Sequence, residues 1–113
     1  MKLVVIILNK TECLDELLEA FGENHISGAT IIDSKGMVQE LNETDHEDLY
    51  FLVSLRSLLN PSHKENKTII TVTKEEDIPL ISKITNEVTG GLDKPDTGIL
   101  FTLPIDYLEG LSH

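Results

Sequence analysis

Lys2-Leu-Val-Val-Ile-Ile-Leu8 is the stretch that decides how the rest of the chain must fold. It has no alternation of apolar and polar side chains, because Leu3, Val5 and Ile7 are matched by Val4, Ile6 and Leu8. A strand of this kind is buried on both faces and lies in the middle of a sheet. Working outward, residues 11–21 place Leu14, Leu17, Leu18 and Phe21 at i, i+3, i+4 and i+7, with Glu12, Asp15, Glu16 and Glu19 turned away. That spacing predicts an amphipathic helix stopped by Gly22. Residues 28–34 predict a second strand, with Ala29, Ile31 and Asp33 on one face and Thr30, Ile32 and Ser34 on the other. Residues 67–72 alternate threonine and aliphatics as a third strand, and Thr73 with Glu76 has the form of a capping box. The next helix buries Ile81, Ile84 and Val88 and starts near Asp77, so that Pro79 falls in its first turn or two. Gly90-Gly91 stops it, and residues 99–103 form a fourth strand.

Between the second and third strands lies an insertion, residues 37–66. Residues 37–48 carry Glu40, Glu43, Asp45, Glu47 and Asp48 with no Lys or Arg, the composition of a solvated, mobile loop. Thr44 and Glu47 suggest a cap for a helix over 45–59 built on Leu49, Leu52, Val53, Leu55, Leu58 and Leu59. A strand over 49–55 is the competing assignment, since Tyr50, Phe51 and Val53 suit strands. The order strand, helix, strand, insertion, strand, helix, strand predicts one α+β domain over residues 1–113. It is ferredoxin-like, βαββαβ, with a four-stranded antiparallel sheet, two helices on one face and an inserted helix between strands 2 and 3. Two helices cover one face only. The other face, with Leu3, Val5 and Ile7 beside Ile99, Phe101 and Leu103, requires a cover, and a second copy of the chain is the simplest one.

The charge balance narrows the function classes. Nine Lys+Arg against twenty Asp+Glu give a formal net charge of −11, which repels a phosphate backbone or an anionic bilayer. No nucleic-acid role and no membrane insertion are expected. Cys13 is the single cysteine, so no internal disulfide or cysteine-rich zinc site can form. The apolar run from Leu3 to Leu8 is shorter than a signal-peptide core or a membrane span, so a cytoplasmic location is expected. No nucleophile elbow, HExxH or EF-hand spacing is present. Neither an enzymatic activity nor a cofactor is therefore expected.

Two segments carry a resemblance. Gly28-Ala-Thr30-Ile-Ile-Asp-Ser-Lys35-Gly36 precedes the insertion, and Thr89-Gly90-Gly91-Leu-Asp93-Lys94-Pro-Asp-Thr-Gly98-Ile-Leu-Phe101 leads into the last strand. With the element order, they resemble the PII-like signalling proteins, a superfamily that includes the nitrogen regulatory PII proteins, divalent-ion tolerance proteins and cyclic-di-AMP receptors. The resemblance implies a trimer of ferredoxin-like subunits with small ligands, often adenine nucleotides, in the clefts between them. It also implies a T-loop at the insertion that contacts a protein target. By position it assigns Thr30, Lys35 and Gly36 to the T-loop base, and Thr89, Gly90, Asp93, Lys94 and Gly98 to the phosphate-holding B-loop. The chain departs from the family pattern in having Ile99 where a lysine follows the final B-loop glycine. It also has Glu109-Gly110-Leu111-Ser112 where arginines are expected.

Read as residues alone, the 90–98 segment is a helix stop and turn that could also cradle an anion with backbone N–H groups. Lys35 and Lys94 are the cations of the two segments. His46 with Glu43 and Glu47 is a weak divalent-metal candidate, and a metal-binding tolerance-type protein is accordingly an alternative reading. Tyr50, Phe51 and Leu55 lie away from the Leu49, Leu52, Val53 stripe of the insertion helix and form a candidate partner-binding face. A third reading is an assembly adaptor that binds no ligand.

Overall fold

In the computed structural model the described residues are 1–43 and 65–110, the side chains of residues 41–43 excepted. Four strands, β1 (Lys2–Leu8), β2 (Thr30–Ser34), β3 (Asn66–Thr73) and β4 (Gly98–Pro104), form one sheet in the order β2-β3-β1-β4. Every neighbouring pair is antiparallel. The helices are α1 (Leu14–Glu23), α2 (Met37–Glu43) and α3 (Ile78–Thr89), with single 3₁₀ turns, Thr11–Cys13 and Glu75–Asp77, leading into α1 and α3. This is an α+β arrangement compatible with a ferredoxin-like fold. No described helix is long and apolar enough to cross a membrane.

β1 lies between β3 and β4, as its two-sided apolar character requires. Val4, Ile6 and Leu8 point to the helix side, where they form one cluster with Ile69 of β3, Leu17 and Phe21 of α1, and Ile81 and Ile84 of α3. Leu14, Leu18, Ile78 and Val88 pack around it. The stripe at i, i+3, i+4 and i+7 is thus the buried face of α1. Pro79 stands in the first turn of α3, where its missing N–H has no carbonyl to bond.

The register defines the opposite face residue by residue. Leu3 stands between Val72 and Leu103, Val5 between Ile70 and Phe101, and Ile7 between Thr68 and Ile99. Thr30 and Ile32 extend two of these rows onto β2. Ile32, Ile99, Phe101 and Leu103 are exposed, and no described residue packs over them. A side chain that carries charge is found nowhere in these rows.

Three local expectations are corrected. Residues 37–43 are helical rather than a mobile loop: Met, Gln, Glu and Leu favour helix, the Glu40 N–H donates to Gly36 O at 3.1 Å, and Glu40 lies in the positive first turn. Gly22 does not stop α1. The Asn24 side chain donates to Ala20 O at 2.8 Å, Asn24 caps the helix, and the left-handed residue is His25, φ 65°. Thr73 caps nothing, because it is the last residue of β3, paired with Lys2, and no side chain caps the Glu75–Asp77 turn or α3. The expected helix over 45–59 and the competing strand over 49–55 lie outside the described residues.

Ile6 is fully buried at the centre of the cluster. Ile6→Ala should destabilise the domain by about 3 kcal/mol, since a central site with neighbours on sheet and helices cannot collapse around the cavity. A urea titration followed by circular dichroism reads this as a lower midpoint with an unchanged slope.

Candidate functional site

β1 and β2 finish at the same end of the sheet, where β3 and β4 begin. Leu8 pairs with Lys67 and Gly98, and Ser34 pairs with Asn66. The chain leaves this end as Asn9-Lys10 after β1 and as Lys35-Gly36 after β2, and returns to it from α3 through Gly91 to Thr97. Lys35, Gly36 and Gly98 are thereby gathered at one end, together with Thr89 and Gly90 at the close of α3.

Hydrogen bonds tie these segments together. The N–H groups of Asn9 and Lys10 both donate to Thr97 O, at 3.0 and 3.1 Å. Asn66, largely buried, accepts at Oδ1 from the Ser34 hydroxyl at 2.5 Å and donates from Nδ2 to Asn9 Oδ1 at 3.4 Å. Ser34 and Thr68 hydroxyls share a further bond of 2.7 Å. The Lys10 ammonium donates to Thr89 O at 2.9 Å. It thus satisfies a terminal carbonyl of α3 and complements the negative end of the helix.

Gly90 ends α3 in the left-handed region, φ 88°, with its N–H donating to Asn86 O at 3.1 Å. The Asn86 side chain accepts from the Leu92 N–H at 2.8 Å, and the Lys94 N–H donates to Gly91 O at 3.1 Å, so the loop has a built shape. Gly98 is required by contact: at φ 150° its absent Cβ would stand 2.5 Å from Ile7 O. The close approach of β4 to the end of β1 depends on it.

The sequence-derived site residues are not equivalent. Asp93 and Lys94 are exposed on the loop, and Lys35 is exposed beyond β2. Thr89 is buried, its hydroxyl donating to Thr85 O at 2.7 Å and accepting from the Gly91 N–H at 3.4 Å, so it shapes the loop from within. Thr30 stands opposite Ile70, on the edge strand of the open face and roughly 13 Å along β2 from Ser34. Lys10, Ser34, Asn66 and Asn9 escaped the sequence reading. The only linear signal was their placement at strand ends, and the side-chain bonds that Asn66 makes to Ser34 and Asn9 cross 32 and 57 positions.

Electrostatics distinguish this end from the rest of the molecule. Lys10, Lys35, Lys67 and Lys94 lie in or beside its segments, with Asp33, Glu65, Asp93 and Asp96. Four against four balance locally, so an anion meets little of the repulsion that the −11 chain presents elsewhere. Asp33 pairs with Lys67 at 2.5 Å and holds its ammonium above the ordinary lysine value, first through the hydrogen bond and then through charge. The Tyr107 phenol is likewise raised, mainly by its hydrogen bond to Glu109.

Among the described residues no group of three or more His, Cys, Asp or Glu is placed to hold a metal ion. His46, Glu47, Tyr50, Phe51 and Leu55, and the Glu43 side chain, lie outside the described residues. Cys13 is buried and unpaired.

A concavity of about 300 Å³ lies at the other end of the sheet. It is lined by residues from the 25–28 connection, the close of β3 and the start of the α3 region. Compared with known proteins, the sequence matches no family model and no curated protein.

Gly98→Ala should cost about 2 kcal/mol through backbone strain and displacement of Ile7. The displacement should appear in amide spectra as shifts at Asn9, Lys10 and Thr97. A substitution that leaves those amides and the melting temperature unchanged would refute the contact.

Proposed function

We propose that this chain is a non-enzymatic regulator of the PII-like kind, a ferredoxin-like βαββαβ domain that works as a homo-oligomer. Copies meet through the bare sheet face. A small anionic metabolite, an adenine nucleotide in the leading case, binds where the Lys35-Gly36 turn and the 89–98 loop reach a subunit boundary. The insertion, residues 37–66, carries the response to a protein target. A closed trimer is the assembly that the resemblance implies.

The observation that carries this reading is the convergence, at one end of the sheet, of the two segments on which the resemblance rests. They are far apart in sequence, yet Ser34, Asn66, Asn9 and Thr97 link the strand ends next to them by hydrogen bonds. The helix that starts directly after Gly36 supports the regulatory half. A rigid start to the insertion gives a ligand at its base a lever on the remainder of that segment, provided the ligand contacts two arrangements unequally.

The bare face supports self-assembly. A second copy is the occupant that suits it, because the rows from Leu3 to Leu103 contain no ionisable side chain. Two molecules of charge −11 repel at most surfaces, and this face lets them approach without opposing carboxylates. The same face also favours the adaptor reading, in which assembly is the whole function and the loop end is only a structural knot.

Thermal unfolding against ATP, ADP, AMP, cyclic-di-AMP and 2-oxoglutarate separates the two. A native-state ligand at about 100 times its Kd adds about 2.7 kcal/mol, which moves the midpoint by several degrees. The regulator reading predicts an upward shift with at least one nucleotide, reduced in Lys35→Ala and in Lys94→Ala. No shift with any of the five, in protein that is folded and assembled, contradicts it and leaves the adaptor.

A further inference from the structure

The concavity at the far end of the sheet contains an unmet chemical demand. Five buried threonines occur among the described residues: Thr71, Thr73, Thr85, Thr89 and Thr97. Three have their hydroxyls satisfied, Thr85 by Ile81 O, Thr89 by Thr85 O and Thr97 by Pro95 O. Thr71 and Thr73, residues 4% and 8% exposed, have hydroxyls with no hydrogen bond to any described residue. Both line the concavity.

The difference has a physical origin. A threonine inside a helix reaches the carbonyl four residues back, as Thr85 and Thr89 do. On a strand the ladder uses the backbone groups, and Thr71 and Thr73, opposite Val4 and Lys2, have their side chains on the helix side of the sheet. Buried polar groups in native proteins are ordinarily hydrogen-bonded, and an unpaired one costs free energy. Two on one wall of an open space of about 300 Å³ stand where water fills the partner positions in the free protein and a ligand with polar atoms can replace it.

We infer that this cleft binds a small zwitterion of amino-acid size. Its lining carries the Lys74 ammonium on one side of the charge balance and the Asp77 carboxylate on the other, with His25 beside them. A purely anionic ligand would face the Asp77 carboxylate, and a purely cationic one would face Lys74. A molecule with both an ammonium and a carboxylate pairs with each, while its remaining polar atoms meet hydroxyls that donate or accept. The volume lies at the small end of ligand sites, which matches an amino acid rather than a dinucleotide. The cleft shares no residue with the Lys35-Gly36 and 89–98 end. It therefore stands or falls independently of nucleotide binding there.

The test titrates the full chain separately with glycine, L-glutamine, L-glutamate and L-lysine and follows backbone amides by heteronuclear NMR. Saturable shifts centred on residues 25–28 and 71–77 are expected with at least one of the four. The Thr71→Val/Thr73→Val variant keeps the side-chain shape and removes both hydroxyls, so binding should weaken about tenfold or more. Without ligand, the same variant should melt at or above the wild-type temperature, because it removes two unpaired buried groups. Absence of saturable shifts with all four probes overturns the inference, as do shifts centred on 34–36 and 89–98 or unchanged affinity in the variant. A variant that melts well below wild type or fails to fold also overturns it, since the hydroxyls would then have partners within the protein.

Discussion

The structure depends on β1 being apolar on both faces. A central strand with Val4, Ile6 and Leu8 on one side and Leu3, Val5 and Ile7 on the other cannot be satisfied by a single layer of helices. The helix layer takes the first set completely, and Leu17, Phe21, Ile81 and Ile84 close over it. The second set is flanked within the sheet by Ile70, Val72, Phe101 and Leu103, so that even Val5 is buried by its row neighbours. No described residue packs over the rows themselves. Among the described residues, the apolar side chains of β1 are thus covered on the helix side and left without a covering layer on the other.

The two ends of the sheet solve different problems. At the Leu8 end, four connections leave or enter within a few residues, and side chains and backbone knit them together through Asn9, Lys10, Ser34, Asn66 and Thr97. The glycine loop there is held by its own turns and by Asn86, which lets the exposed Lys94 stand on a fixed base. At the Lys2 end the chain passes from β3 into the turn before α3 without any side-chain cap, and a space remains between Thr71, Thr73 and the connection after α1. One end is bonded to itself. The other has bonds to give.

Much of this was legible in the sequence, for particular reasons. The strands declared themselves because β-branched runs bounded by Asn, Gly and Pro have few other uses, and β1 was read to its observed limits. α1 and α3 followed from single apolar stripes, and Pro79 located the start of α3. Gly22 misled because the left-handed residue needed after α1 falls at His25, where a histidine tolerates it. The acidic stretch at 37–43 misled because charge was weighed above helix propensity, and it is the propensity that sets the local structure. The site was harder. Lys35 and the 89–98 loop could be named from their glycines and cations, whereas Lys10 bonding to Thr89 and Asn66 bonding to Asn9 join residues 79 and 57 positions apart. The two unpartnered threonines had no linear signal at all, since the third strand alternates threonines throughout and only the packing shows which hydroxyls lack a partner.

We propose that the sheet face left open among the described residues is completed by other copies of the chain, which brings the loop ends to subunit boundaries. Sedimentation equilibrium of the purified protein at micromolar concentration tests it most directly. The account predicts a mass that is an integer multiple of 12.6 kDa, three in the leading case, falling to the single-chain mass when Phe101 in the middle row is replaced by Glu. A wild-type protein that sediments at 12.6 kDa across the accessible range while remaining folded would contradict it.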